Sequence, residues 1–336
     1  MNIFICTGIY PPDIGGPAEY AKNIVEELRS DGHEVTVFSY GKEKSMPAGI
    51  RHIFYFFRIL PGAASADLII ALDTFSVGLP AVLAAKIVNR KIIVRVGGDF
   101  LWENYIESGG REITISDLYR QKPRLSPKQK LIFKLSKYVF EKSSALVFST
   151  DWQKQIIIKN YHLKNKNIYI VENYYGNKLQ SLEPKEKNYI FAGRLIGLKN
   201  LKRLKEAFSL AQKIDPEIKL EILSDLAHAD LMSRIAGCYA VILPSYSDIS
   251  PNFILDAIRM NKPFIMTKET GFYDKLKDIG LFIDPFDEED IKEKILFLAD
   301  DQNYKKYKTA VLNFTFTHSW KEITEEFLKI YQKLIA

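Results

Sequence analysis

Apolar and polar positions along the chain follow two periods. Short, nearly continuous apolar runs recur as "NIFICTG", "EVTVFSY", "DLIIAL", "KIIVRV", "ALVFST" and "NIYIVEN". Their length and β-branched content predict buried strands. Between several of them the apolar residues fall at helical spacing, as Ala18, Ala21, Ile24, Val25 and Leu28 do in "PAEYAKNIVEELRSDG". Continuous apolar strands alternating with helices predict a parallel sheet covered on both faces. The polar, turn-rich stretch 172–188, "ENYYGNKLQSLEPKEKN", reads as a linker. After it the alternation restarts with "YIFAGR", a helix over about 200–213, "KLEIL", "AVILPS", "PFIMT", "GLFIDP" and a helix from about 288. "HSWKEITEEFLKIYQKLIA" closes the chain as an amphipathic helix. The expected class is α/β, with two Rossmann-like halves in tandem. The boundaries expected are 1–175, 176–317, and a closing helix 318–336 that returns to the first domain.

Three stretches carry less decisive patterns. "FYFFRILP" (54–61) reads as a buried strand, with an exposed hydrophobic patch as the alternative. Leu68 to Val88 is the most membrane-like run, but Asp73, Pro80 and Lys86 interrupt it, so strand, loop and helix fit better. Residues 120–142 hold eight Lys/Arg and one Glu, with Leu131, Ile132, Leu135, Tyr138 and Val139 as a helical stripe. Such a segment either packs its stripe inward under a solvated basic face or rests on an anionic membrane.

Composition narrows the class. A length of 336 residues fits roughly two domains of about 150 each. At 47% hydrophobic and 26% charged, the chain has the make-up of a globular protein with an ample core. Cys6 and Cys238 are too few and too far apart for a disulfide framework, and no Cys/His spacing suits a metal. A reducing, cytoplasmic setting is expected. The start "MNIFICTG" lacks a basic region and a cleavage site and reads as a strand. The net charge of +6 favours anionic partners, but no base-reading motif supports nucleic acid. His33, His52, His162, His228 and His318 make no ligand cluster and read as surface or core residues, and Asp287, Glu288, Glu289 and Asp290 read as a helix cap.

Three stretches offer chemistry. In "GIYPPDIGGPAEYAKNI" a strand ends, Gly15 and Gly16 permit close backbone approach, and Pro17 suits a first helical turn. The free N–H groups of such a helix start favour an anion. The spacing is neither a dinucleotide fingerprint nor a P-loop. In "FAGRLIGLKNLKRLKEAF", Gly193 ends a strand, Arg194 offers a planar fork and Lys199 a mobile point charge to phosphate. In "DISPNFILDA", Pro251 suits a first helical turn and Ser250 the N-cap, with Asp248 before the helix and Asp256 in its second turn. Each stretch alone also fits an ordinary turn or solvated charges.

Together, in order and spacing over nearly the whole chain, "GIYPPDIGGPAEY", "FAGRLIGLKN" and "PSYSDISPNFILDAIRMNKPFI" resemble the family 4 retaining glycosyltransferases of the GT-B fold. The resemblance implies two Rossmann-like domains facing across a cleft, an acceptor in the first and a nucleoside-diphosphate sugar in the second. It implies a donor site of Gly15, Gly16, Gly193, Arg194, Lys199, Asp248, Ser250, Asn252, Phe253 and Asp256. Arg194 and Lys199 match the cationic pair for the diphosphate. Asp248 and Asp256 match the acids that contact the donor sugar and the ribose. Asn252 falls in the turn facing the sugar. Asp99, in "VRVGGDFLWENY", matches an acid that positions the acceptor hydroxyl or acts as base, and Gly98 stands where the family often has His. The catalytic set implied is Asp99, Arg194, Lys199 and Asp248. No D-x-D triplet occurs, so no metal or other cofactor is expected.

Departures accompany the resemblance. Both motif acids are Asp where the family usually has Glu, a loss of reach of roughly 1.5 Å each. The interval between "KLEIL" and "AVILPS" is short, so the base pocket is smaller or differently built. The expected activity is a hexosyltransferase-type reaction onto a hydroxyl of a glycan, lipid-linked or small-molecule acceptor. A GT-B-shaped epimerase or hydrolase and a non-catalytic nucleotide-sugar-binding module are the alternatives.

Overall fold

The apolar runs of the first half become one parallel sheet, and those of the second half another. The computed structural model describes residues 1–336, with the side chains of all but residues 42 and 48. In chain order the first half holds β1 (Asn2–Thr7), α1 (Gly16–Ser30), β2 (Glu34–Ser39), α2 (Ala48–Ser65), β3 (Leu68–Ala71), α3 (Gly78–Ile87) and β4 (Lys91–Val96). Then come α4 (Phe100–Glu107), α5 (Ile115–Gln121), α6 (Pro127–Lys142), β5 (Ala145–Phe148), α7 (Asp151–Tyr161) and β6 (Ile168–Ile170). The second half holds β7 (Asn188–Ala192), α8 (Leu201–Gln212), β8 (Lys219–Leu223), α9 (His228–Gly237), β9 (Ala240–Leu243), α10 (Asn252–Arg259) and β10 (Phe264–Thr267). It closes with α11 (Tyr273–Leu276), β11 (Leu281–Ile283), α12 (Glu288–Ala299), α13 (Asp301–Asn313) and α14 (Trp320–Ile335).

The strand orders are β2-β1-β3-β4-β5-β6 and β11-β10-β9-β7-β8. In each sheet the chain starts inside and turns first to one side, then to the other. The switch points are β1/β3 and β7/β9, where open α/β sheets bind ligands at the strands' carboxyl ends. By contacts the chain forms two units: residues 1–104, 123–174 and 318–336, and residues 105–122 and 175–317. The sequence reading did not separate 105–122 from the first half.

The first unit's core shows why α1 and α14 belong to it. Ile24, Val25 and Leu28 of α1 pack with Ile3 and Ile5 of β1, and with Ile323, Phe327 and Ile330 of α14. A capping box of Ser319 and Glu322 starts α14. Just before it, His318 Nδ1 lies 3.2 Å from the Asn173 carbonyl oxygen and Nε2 3.6 Å from Glu326. Burial opposes charge on this ring, but the bonds to Glu326 and the carbonyl outweigh it and raise the pKa above 6.5. The stabilisation is therefore whole below pH 6.5 and is lost as pH rises through the folded-state value. We expect the wild type to lose more melting temperature than His318→Gln between about pH 5.5 and about pH 8.5. Equal losses in a buffer-matched thermal scan would refute the linkage.

One predicted element is wrong. Residues 54–61 are not a strand but the middle of α2. Tyr55, Ile59 and Ala63 recur at four-residue spacing and are fully buried, while Ile53, Phe54 and Phe57 on the other face are exposed. Eight residues taken alone are too few to separate the two periods, and the aromatic run weighs toward a strand. Pro61 and Gly62 read as a turn, yet both lie within the helix, where Gly62 allows contact with Phe4: an added Cβ would meet that ring at 2.3 Å. The basic segment is α6, capped by Ser126 and Gln129. It buries Ile132, Val139 and Phe140 but leaves Leu131 exposed, so the predicted stripe is displaced. Asp287 caps α12 as expected.

Candidate functional site

The loops after β7 and β9, at the second sheet's switch point, carry the charged motifs. β7 ends at Ala192 and is followed by Gly193, whose φ of 155° favours glycine and whose N–H donates to Leu223 O at 3.1 Å. Arg194 follows on the surface. A 3-10 turn, Gly197–Lys199, leads to Asn200 in the left-handed region and then to α8. After β9, Asp248 is held through its N–H by Glu269 O at 2.9 Å, in an isolated bridge to Thr270. These backbones bring Lys199 Nζ to 3.0 Å from Asp248 Oδ2, with both side chains partly buried. A Cβ added at Gly193 would stand 3.9 Å from Lys199 Cε, so the lysine stem runs past that glycine.

The Ser250 expectation fails. Pro251 occupies the N-cap of α10 and no side chain caps the helix. The Ser250 hydroxyl is buried with no hydrogen-bond partner. Proline blocks the usual cap, because its ring fixes φ and carries no acceptor. The helix therefore starts at Asn252, followed by Phe253, with side-chain-uncapped first-turn amides beside an orphan hydroxyl. Asp256 lies one turn on. Its Oδ2 is 2.9 Å from His228 Nε2 and its Oδ1 3.4 Å from Arg259 Nη1. The structure thus joins Gly193, Lys199 and Asp248, and groups Asp256 with His228 and Arg259.

Gly15, Gly16 and Asp99 belong to the first unit, at the ends of β1 and β4. Gly15 is the N-cap of α1 with φ 139°, a value that demands glycine. Gly16 opens the helix and Pro17 sits in its first turn. Asp99 is buried, and its Oδ1 accepts the Trp102 N–H at 2.9 Å, fixing the first turn of α4. At Gly98 an added Cβ would meet Glu103 Oε1 at 2.8 Å. Glu103 fills the room a larger side chain would use.

Sequence reasoning missed several neighbours. Asn200, 3% exposed, donates its Nδ2 to Pro244 O at 3.1 Å and Pro285 O at 2.6 Å. Its signal was an Asn at a helix start, a residue that tolerates the left-handed region. His228 had no signal, since only the fold brings it to Asp256. Glu269 stands behind Asp248; burial raises its carboxyl pKa, and its Oε2 has no partner. Between β8 and β9 the only helix is α9, matching the short interval in the sequence.

The model of Glycosyltransferase Family 4 matches residues 14–174. No curated protein sequence matches the chain. Among solved structures, sucrose-phosphate synthase from Thermosynechococcus elongatus is similar at TM-score 0.70 and 13% identity, over 99% of both chains. WaaG, a glycosyltransferase involved in lipopolysaccharide biosynthesis, is similar at 0.68 and 15%, over 98% of this chain and 99% of its own. A glycosyltransferase from Rickettsia africae ESF-5 is similar at 0.62 and 15%, over 99% and 98%. At such identities these structures speak to the fold alone, and they share the arrangement of two parallel-sheet domains. The chain thus has the two-domain GT-B fold, and its residues 14–174 match Glycosyltransferase Family 4.

Proposed function

We propose that this glycosyltransferase takes a nucleoside-diphosphate sugar as donor. On this reading it transfers the sugar, with retention and without a metal, to a hydroxyl of a glycan or lipid-linked acceptor. The observation that carries the reading is the Lys199–Asp248 pair at 3.0 Å, near a helix start that no side chain caps and the orphan Ser250 hydroxyl. A donor divides that pair. The sugar hydroxyls turn to Asp248 and the diphosphate to Lys199 and Arg194. Gly193 leaves room for the phosphates, and Ser250, Asn252 and Phe253 meet the sugar. Asp256 takes the ribose diol in exchange for part of its bonding to His228 and Arg259.

The bond from anomeric carbon to phosphate oxygen breaks while the acceptor oxygen bonds to that carbon from the same face. The acceptor proton passes to the departing phosphate. Charge grows on that phosphate, so preorganised cations and helix N-termini give the largest stabilisation available. Asp99 is already engaged in fixing α4, which suits a positioning role better than that of a general base. A thermal-shift panel of nucleoside-diphosphate sugars tests the reading, since ligand bound only to the folded state raises the melting temperature. One donor should shift it by several degrees and turn over with release of nucleoside diphosphate. No shift with any donor would refute the donor assignment.

A membrane-borne acceptor is favoured by α2. No helix among the described residues is long and apolar enough to cross a membrane. Yet Phe54 and Phe57 on α2 are 54% and 66% exposed. The neighbouring α3, which packs on both α2 and α6, exposes Ile87, and the basic α6 exposes Leu131. Apolar side chains beside a cationic helix suit an anionic lipid surface. The protein should sediment with anionic vesicles and stay free of neutral ones, and Phe54→Asp/Phe57→Asp should cut the bound fraction at least about tenfold. Equal sedimentation of the double variant would remove the membrane from the proposal.

A further inference from the structure

Residues 105–122 leave the chain between β4 and β5 and are built into the second unit. Their bonds land on the loops that carry the reactive pair. Glu107 Oε1 accepts the Leu198 N–H at 3.2 Å, one residue before Lys199. Ser247 Oγ accepts the Ile115 N–H at 2.9 Å, one residue before Asp248. Leu198 O in turn accepts the Tyr246 N–H at 3.0 Å, tying the two loops directly. Glu112 bonds to the Tyr246 hydroxyl, which chiefly holds its carboxyl below the usual range, and to Arg203 Nη2 at 3.0 Å. Ser116 bonds to Glu269, whose carbonyl holds Asp248 N–H.

The Ser247 bond has a local cause. α5 is capped by Thr114, whose Oγ1 accepts from Asp117 N–H. The N–H of Ile115 remains one of the unpaired donors of a helix start, and both Ile115 and Ser247 are buried. With both groups buried, the hydroxyl of Ser247 is what satisfies that donor. Backbone fixed one residue before each charge sets where Lys199 and Asp248 stand, and a misplacement of about 1 Å costs on the order of 10²-fold in rate.

We propose that residues 105–122 form a clamp that sets the separation of Lys199 and Asp248, with Glu107 and Ser247 as positioning residues; this rests on the reading of that pair as the donor site. Hydrogen exchange on the full chain reads the clamp without any substrate. In Glu107→Ala and Ser247→Ala the amides of 196–200 and 245–249 should exchange at least about tenfold faster, while β7 and β9 keep wild-type protection. Glu107→Gln and Ser247→Thr keep an acceptor oxygen and should restore slow exchange. With the donor from the panel, the Ala variants should lower kcat about tenfold and leave the acceptor KM unchanged, and the conservative variants should recover kcat. Unchanged loop exchange in the Ala variants overturns the clamp. Faster exchange with unchanged kcat overturns the positioning role. If Ser247→Ala fails to fold, Glu107→Ala, at an exposed side chain, carries the test. A panel that yields no donor counts against the donor reading alone, because exchange reports on the loops directly.

Discussion

Asp248→Asn should lower turnover by about 10²–10³-fold while leaving the melting temperature within about 3 °C of wild type. The two effects separate because they draw on different energies. In the resting protein the Lys199–Asp248 pair is a partly solvated ion pair, and such pairs contribute at most about 1 kcal/mol to stability. On the proposed reading the carboxylate holds the sugar in the reaction while the lysine, released from it, meets growing phosphate charge. A preorganised contact of that kind is worth about 3–4 kcal/mol. Asn keeps the shape and removes the charge, so the loss falls on kcat more than on KM. Arg194→Ala should match it, since on the same reading Arg194 is the second cation for the diphosphate. Initial rates and thermal scans on both variants check this. Activity above about a third of wild type in both would remove these residues from the machinery.

Asp248→Glu gives a finer reading. The side chain gains the methylene that the family's usual Glu carries, roughly 1.5 Å of reach. Here Asp248 is already within bonding distance of Lys199, with its backbone held by Glu269. A longer acid at that backbone position crowds Lys199, so Asp248→Glu should not exceed wild-type turnover in the same initial-rate assay.

The strands were legible because a parallel strand buried on both faces leaves a continuous apolar run, whereas their order, and so the switch points, came only from the fold. α2 was not legible, because its aromatic run weighs toward a strand and its internal Pro-Gly pair looks like a stop. The charged motifs were legible as residue types, since Lys, Arg and Asp around glycine turns declare their chemistry. Their partners were not. His228 reaches Asp256 across 28 residues, and Glu107 reaches Leu198 across 91. Ser250 misled because a Ser before Pro at a helix start looks like a cap, whereas Pro251 takes that position and strands the hydroxyl. Local patterns report local bonds, and this site is assembled from loops that only the fold brings together.

Asn200 should rank among the most sensitive positions of the second unit, with damage in the order Asp, then Ala, then Gly. Its backbone sits at φ 58°, where Ala pays about 1 kcal/mol or more and Gly pays nothing. Its Nδ2 donates to the carbonyls of Pro244 and Pro285, and its Oδ1 accepts from Arg203 Nη1 at 2.9 Å. One amide therefore joins the loops after β7, β9 and β11. Gly loses those bonds but relaxes the backbone. Ala loses the bonds and keeps the strain, for about 2–4 kcal/mol in all, or roughly 5–15 °C. Asp fits the same space yet turns an acceptor toward two carbonyl oxygens, which is worse than making no bond. Lys199 is the next residue, so turnover should fall with the same ranking. Thermal melts and initial rates on the three variants decide it. Equal melting temperatures across the series would mean that the amide does not join these loops, and a ranking led by Gly would mean that backbone strain plays no part.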